Sequence, residues 1–325
     1  MKLPHRRQFL HLAASAAALA AVSRVASAQA YPAKPVRVIV PYAPGGPSDL
    51  FARLISQKLS ERLGQQFFVE NIVGAGGNIG MGRGARATPD GYTILVVGAP
   101  FVINPSLYST IPYDPLKDFD PVTLAVAATV VLTVHPSVPA HSVKELIALI
   151  VNNPGKYSYA SPGTGTPPHL VGELFRLSLN LDLVHVPFSS GGLAAASTLA
   201  GHTPISFGTI PPAVPHVKER KLRALAVTSK SQSLPNVPNM AEAGYPDIKG
   251  DTWFAVVVPA GTPQEIVARL NREIVNIIGL PDIKDNLAVL GFEPVASSPA
   301  EFGTRIKVET ETWAKVIRAA NIRAE

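Results

Sequence analysis

Two stretches of this chain set glycines and hydroxyl residues directly before a helical pattern. The first is Pro41-Tyr42-Ala43-Pro44-Gly45-Gly46-Pro47-Ser48-Asp49, between the apolar run Val36–Val40 and an amphipathic pattern that ends at Gly64. The second is Ser161-Pro162-Gly163-Thr164-Gly165-Thr166-Pro167-Pro168, then His169, between Tyr157–Ala160 and a pattern reaching Leu179. A strand–loop–helix junction leaves the first helical N–H groups without internal partners and aims the positive end of the helix dipole at one point, which suits an anion such as a carboxylate. Ser48, Ser161, Thr164 and Thr166 can add hydroxyl donors. Any βα connection needs turn residues, so one such loop says little; two of one design say more. Asp49 has two readings: a cap or dipole partner for its helix, or a cleft-facing group that favours an amine or acts through water. His169 reads first as a first-turn helix residue. A further glycine loop, Pro187-Phe188-Ser189-Ser190-Gly191-Gly192, opens an alanine-rich helix.

Catalytic signatures are missing from the sequence. There is no G-x-S-x-G, H-E-x-x-H or G-x-x-x-x-G-K-[ST], and no Cys to act as a thiol nucleophile or zinc ligand. The His residues show no metal-ligand spacing. Gly80-Met81-Gly82-Arg83-Gly84-Ala85 fits the dinucleotide fingerprint G-x-G-x-x-A, but it does not open directly from a strand. Close helix packing is the expected role of its glycines. We therefore expect no catalytic residue, no metal and no cofactor. The rival from another class is an exported oxidoreductase carrying a nucleotide.

The elements that must carry the loops follow from periodicity. Val36–Val40 reads as a strand buried on both faces, and Leu50, Leu54, Ile55, Leu59 and Leu63 as the buried stripe of the next helix, capped by Ser48 or Asp49 and ended by Gly64. Strands at Phe67–Asn71 and Thr93–Val97 complete a β-α-β-α-β order, which predicts parallel pairing. Residues 100–120 read as loop. Val122–Val134 is too long for an ordinary strand and is expected to cross between domains. Ser142 and Glu145 form a capping box, and Thr262 with Pro263 opens another helix. A second crossing near 251–258 returns the chain. The expected fold is α/β with two domains and a ligand cleft between them: residues 31–130 plus 253–325, and residues 131–252.

Residues 1–30 read as a cleaved export signal. Arg6-Arg7-Gln8-Phe9-Leu10 is twin-arginine-like, the apolar stretch is too short to span a membrane, and small-x-small sites end at Ala28 or Ala30. The signal also explains the charge. Lys2, Arg6, Arg7 and Arg24 carry four of the +6, leaving +2 for the rest. No basic run with interleaved aromatics occurs, so no nucleic-acid partner is expected. A protein without Cys needs no disulfide in an oxidising compartment.

The chain resembles the tripartite tricarboxylate transporter substrate-binding proteins, the Bug family of periplasmic receptors. The resemblance runs from Tyr31 to the C-terminus. It rests on an ordered set of motifs: Tyr31-Pro32, Val40–Gly46, Val69-Glu70-Asn71 with Gly74–Gly80, Pro89–Thr93, Gly163–Thr166 with His169-Leu170, Leu222–Thr228, Ala241–Pro246 and Pro259–Pro263. It implies a two-domain Venus flytrap that closes on a small carboxylate. The two loops would hold that carboxylate through backbone N–H groups and ordered waters. Carried over, the contacts fall on Tyr42, Ala43, Pro44, Gly45, Gly46, Ser48 and Asp49, then Ser161, Gly163, Thr164, Gly165, Thr166 and His169, then Ser189, Ser190 and Gly191. The implied partner is a membrane permease or a membrane sensor, with the receptor a periplasmic monomer. Two departures put ligand identity by analogy in question: the helix and turn over 193–208, with His202-Thr203-Pro204, and Thr209-Ile210-Pro211-Pro212.

Overall fold

The computed structural model describes residues 31–324. The export signal expected over residues 1–30 lies outside the described residues. Strand β1 (Val36–Val40) leads through the first loop into α1 (Pro47–Leu63), then β2 (Phe67–Asn71). A 3-10 turn at Ala75–Gly77 opens α2 (Asn78–Ala85), followed by β3 (Thr93–Gly98) and α3 (Pro100–Leu107). Next come β4 (Phe119–Val134), α4 (Val143–Val151), β5 (Tyr157–Ser161), α5 (Pro167–Ser178) and β6 (Leu183–Pro187). The chain continues with α6 (Gly191–Leu199), β7 (Ile205–Thr209), α7 (Ile210–Lys218) and β8 (Arg223–Val227). It closes with β9 (Asp251–Pro259), α8 (Gln264–Ile278), α9 (Pro281–Val289), β10 (Glu293–Pro294) and α10 (Pro299–Ala319).

The strands run β2-β1-β3-β9-β4-β7-β5-β6, with β8 and β10 also paired to β4. Pairing is parallel within β2-β1-β3 and within β7-β5-β6, as the βα order predicts. Between these blocks, β9 and β4 run antiparallel to each other and to their neighbours. Strand β4 is shared: Phe119–Thr129 pairs with β9, and Val130–Val134 pairs with β7. Half of its 16 residues are β-branched and most are buried, which sustains so long a strand. Alternation sends Leu95, Val97, Ala255 and Val257 into a core with α3 and α10, and Ile94, Val96, Val256 and Val258 into a core with α1 and α8.

Several sequence expectations change here. Residues 100–107 form a helix, because Pro100 sits at a first helical position, where its missing N–H costs nothing. Helix α1 begins at Pro47 with Gly46 as its N-cap and no side-chain cap, and it ends at Gly64 as expected. Its buried face is Phe51, Ala52, Ile55 and Leu59, while Leu50 points outward at 43% exposure. Thr262 does not cap α8; its hydroxyl donates to the Pro259 carbonyl and the helix starts one residue after Pro263. Ser142 accepts from Glu145 N–H, but the Glu145 carboxylate returns to His141 N–H, so the box closes one residue early. The Gly80–Ala85 fingerprint packs flat: a Cβ on Gly80 would stand 2.6 Å from the Ile72 carbonyl oxygen.

Candidate functional site

The carboxyl ends of β1, β3 and β5 deliver their loops to one cleft beside β9. Its volume is about 670 Å³. One wall is Tyr42 to Ser48, a second is Gly98-Ala99-Pro100, and the opposite jaw is Pro162 with Thr166, Pro167 and Pro168. Thr209, Thr252, Trp253 and Phe254 complete the lining. Among the described residues that line it, none is Asp, Glu, Lys, Arg or His.

The first jaw is donor-rich. The N–H groups of Gly46, Ser48 and Asp49 have no acceptor among the described residues, since only from Leu50 onward does α1 bond to itself, starting with Leu50 N–H to the Gly46 carbonyl. Ser48 is 5% exposed and its hydroxyl makes no hydrogen bond among the described residues. Beneath the loop, Asp49 is buried and its carboxylate is engaged on both oxygens. One oxygen accepts from Gly45 N–H and Arg53 Nε, each at 2.9 Å; the other accepts from Asn71 Nδ2 at 2.9 Å. Burial alone would raise this carboxyl, but the Arg53, Gly45 and Asn71 donors outweigh it and hold it below its ordinary value. Asn71 also donates to the Tyr42 carbonyl at 3.0 Å, so one Asp–Asn pair fixes both ends of the loop. Of the two readings of Asp49, the geometry is that of an anchor folded back under its own loop.

The second jaw is different. Gly163 N–H donates to Ser161 Oγ, Gly165 N–H to His169 Nδ1 at 3.0 Å, and Thr166 N–H to the Gly163 carbonyl. Pro167 and Pro168 have no N–H to offer. The Thr166 hydroxyl donates to the Gly163 carbonyl at 2.7 Å, and Ser161 Oγ lies 2.7 Å from His185 Nε2. The loop's polar groups are thus largely spent on its own shape. Gly165, at φ +76°, needs the left-handed conformation for this, and a Cβ there would stand 2.7 Å from Leu107 Cδ2.

These features meet a known family. The model of the tripartite tricarboxylate transporter family receptor, TctC, matches residues 51–322. The chain belongs to this family. It is 36% identical to the protein BugT of Bordetella pertussis over 93% of this chain and 94% of that one. A Rhodopseudomonas palustris protein solved with adipate superposes with TM-score 0.71 at 32% identity, covering 90% of this chain and 99% of its own. MatC of the same organism, solved with bound malate, superposes with TM-score 0.66 at 30% identity, covering 88% of this chain and all of its own. The fold is therefore the two-domain solute-binding architecture of periplasmic receptors.

In this TctC-family receptor, Tyr42, Ala43, Pro44, Gly45, Gly46, Ser48 and Thr166 line the cleft. Asp49, Ser161 and His169 lie behind it, buried. Thr164 and His169 border a shallower hollow with Glu173, Arg176 and His185. Ser189, Ser190 and Gly191 are not among the lining residues; Ser190 caps α6 by accepting from Leu193 N–H. Sequence reasoning missed Gly98-Ala99-Pro100, although strand–Gly–Pro–helix is the same signal that marked the other two loops. It also missed Trp253 and Phe254, which lie on β9 beside the cleft. Thr209, one of the two departures from the family pattern, is in the lining.

Two local predictions arise here. The Tyr42 hydroxyl is buried and has no hydrogen-bond partner among the described residues, and burial makes it a weaker acid than an ordinary phenol. Tyr42→Phe should therefore be neutral or stabilising, within about 1 kcal/mol, in urea denaturation. The second concerns His169 and His185, whose rings stack with centroids 3.9 Å apart behind the second loop. Burial pushes both down to about 4, with His185 adding to the effect on His169 and Glu173 opposing it. Between about pH 4 and 6.5 the unfolded chain binds protons that the folded chain refuses, so stability falls as pH falls through this window. For His169 alone the loss approaches about 3 kcal/mol below pH 4. Denaturation midpoints at pH 7 and pH 4.5 check it, and His169→Gln should flatten the dependence.

Proposed function

We propose that this chain is a periplasmic receptor, not an enzyme, that captures a small organic acid and hands it to a membrane permease of the tripartite tricarboxylate type. The observation that carries this reading is the start of α1, where the Gly46, Ser48 and Asp49 N–H groups and the Ser48 hydroxyl have no partner among the described residues, beside a cleft with no charged side chain among its described lining residues. A carboxylate there meets several donors and the helix dipole without any arginine. The relatives solved with adipate and malate support the ligand class. We assign residues 31–130 with 253–325 to one domain and 131–252 to the other. The handover of β4 from β9 to β7 at Thr129–Val130 supports that boundary. The two crossings, β4 and β9, then serve as the hinge on which the jaws close.

Thermal stability measured against mono-, di- and tricarboxylates, amino acids and neutral analogues tests the reading. A carboxylate at 100 times its Kd should add about 2.7 kcal/mol of stability. A shift produced by neutral compounds and by no carboxylate would overturn it.

A further inference from the structure

We infer that the cleft selects carboxylates with one charged end and an apolar, ring-sized or branched body, in preference to di- and tricarboxylates. The inference rests on the carboxylate-receptor reading and specifies its ligand.

It follows from the inequality of the two jaws. The first offers three unpartnered N–H groups and the Ser48 hydroxyl, which is nine-tenths buried in the lining and makes no hydrogen bond among the described residues. The facing jaw presents Pro162, Pro167 and Pro168, and its loop N–H groups at Gly163, Gly165 and Thr166 are bonded within the loop. Between the jaws stand Pro100 and Phe254; the neighbouring Trp253 ring turns the other way and is fully buried against Phe302. A carboxylate seated on the first jaw therefore has its body against proline and aromatic surface. A second carboxylate, reaching across, would leave water for a wall without a cation and with few free donors. Burying a charge without partners is costly, whereas an apolar body gains from the same wall.

The test is calorimetric titration of the purified protein with benzoate, cyclohexanecarboxylate, succinate, adipate, citrate and the neutral benzamide. At least one of the two monocarboxylates should bind 10-fold or more tightly than succinate, adipate and citrate, and benzamide should not compete. If a di- or tricarboxylate binds as tightly as the monocarboxylates or more so, the inference falls while the receptor reading stands. Benzamide binding as well as benzoate would overturn both. No response to either monocarboxylate overturns the inference. A second variant addresses the far wall. Thr209→Arg sets a guanidinium beside the lining, and it should move the adipate-to-benzoate preference at least 10-fold toward adipate. An unchanged preference in a folded variant would also count against the inference.

Discussion

Replacing Gly46 with proline is expected to leave the protein folded and to weaken carboxylate binding by about 10- to 100-fold, the value of one hydrogen bond to a charged group. Gly46 already holds φ −75° and ψ 166°, where proline sits without strain. A Cβ there meets only the Ala43 carbonyl oxygen at 3.5 Å, an ordinary contact, and the Gly46 N–H has no internal acceptor to lose. The substitution therefore deletes one donor and little else. Circular dichroism and the urea midpoint should match the parent, while calorimetry should show the loss. Undiminished affinity in the folded variant would remove the first jaw's backbone from the binding site. The matching change at Gly165 is a poor test. Its φ of +76° excludes proline, its N–H supports His169, and its surroundings are tight, so Gly165→Pro should fail through misfolding.

Asp49→Ala is expected to cost about 2–4 kcal/mol of stability in urea denaturation, and to weaken binding further by freeing the loop. The carboxylate is the shared acceptor for Gly45, Arg53 and Asn71, and its removal strands donors beneath the loop. Arg53 can turn to solvent, since its side chain is half exposed; Gly45 and Asn71 have less freedom. Asp49→Asn should fall between, because its amide keeps one acceptor but adds donors where donors already point. A loss below about 1 kcal/mol would mean that the anchor is redundant. Preserved stability with a changed order of ligand preference would instead restore the reading in which Asp49 faces the ligand.

The local features that did read out of the sequence are those with short-range causes. Strand β1, the Gly64 stop of α1 and the strands β4 and β9 follow from apolar runs, β-branching and turn residues. Helix α3 was hidden because Pro100 and Pro105 resemble loop punctuation, although Pro100 only starts a helix. The expected stripe of α1 agrees with the buried face at Ile55 and Leu59 and differs at Leu50, which turns outward while Phe51 and Ala52 are buried; Leu50 follows the helical period equally well, and the side that faces the core is set by packing.

The first loop shows the same division. Its residues alone identify a helix start with spare N–H groups, since proline, glycine and the helical period act within a few positions along the chain. The same order of motifs carries the family resemblance. What neither composition nor spacing reveals is that the partner loop has the N–H groups of Gly163, Gly165 and Thr166 tied up. That depends on His169 stacking on His185 from a neighbouring strand, and on Thr166 and Ser161 closing bonds within the loop. It likewise takes the tertiary structure to bring Pro100, Thr209 and Phe254 to one cleft from three elements far apart in the chain, because sheet order, unlike helix capping, is decided by contacts distant in sequence.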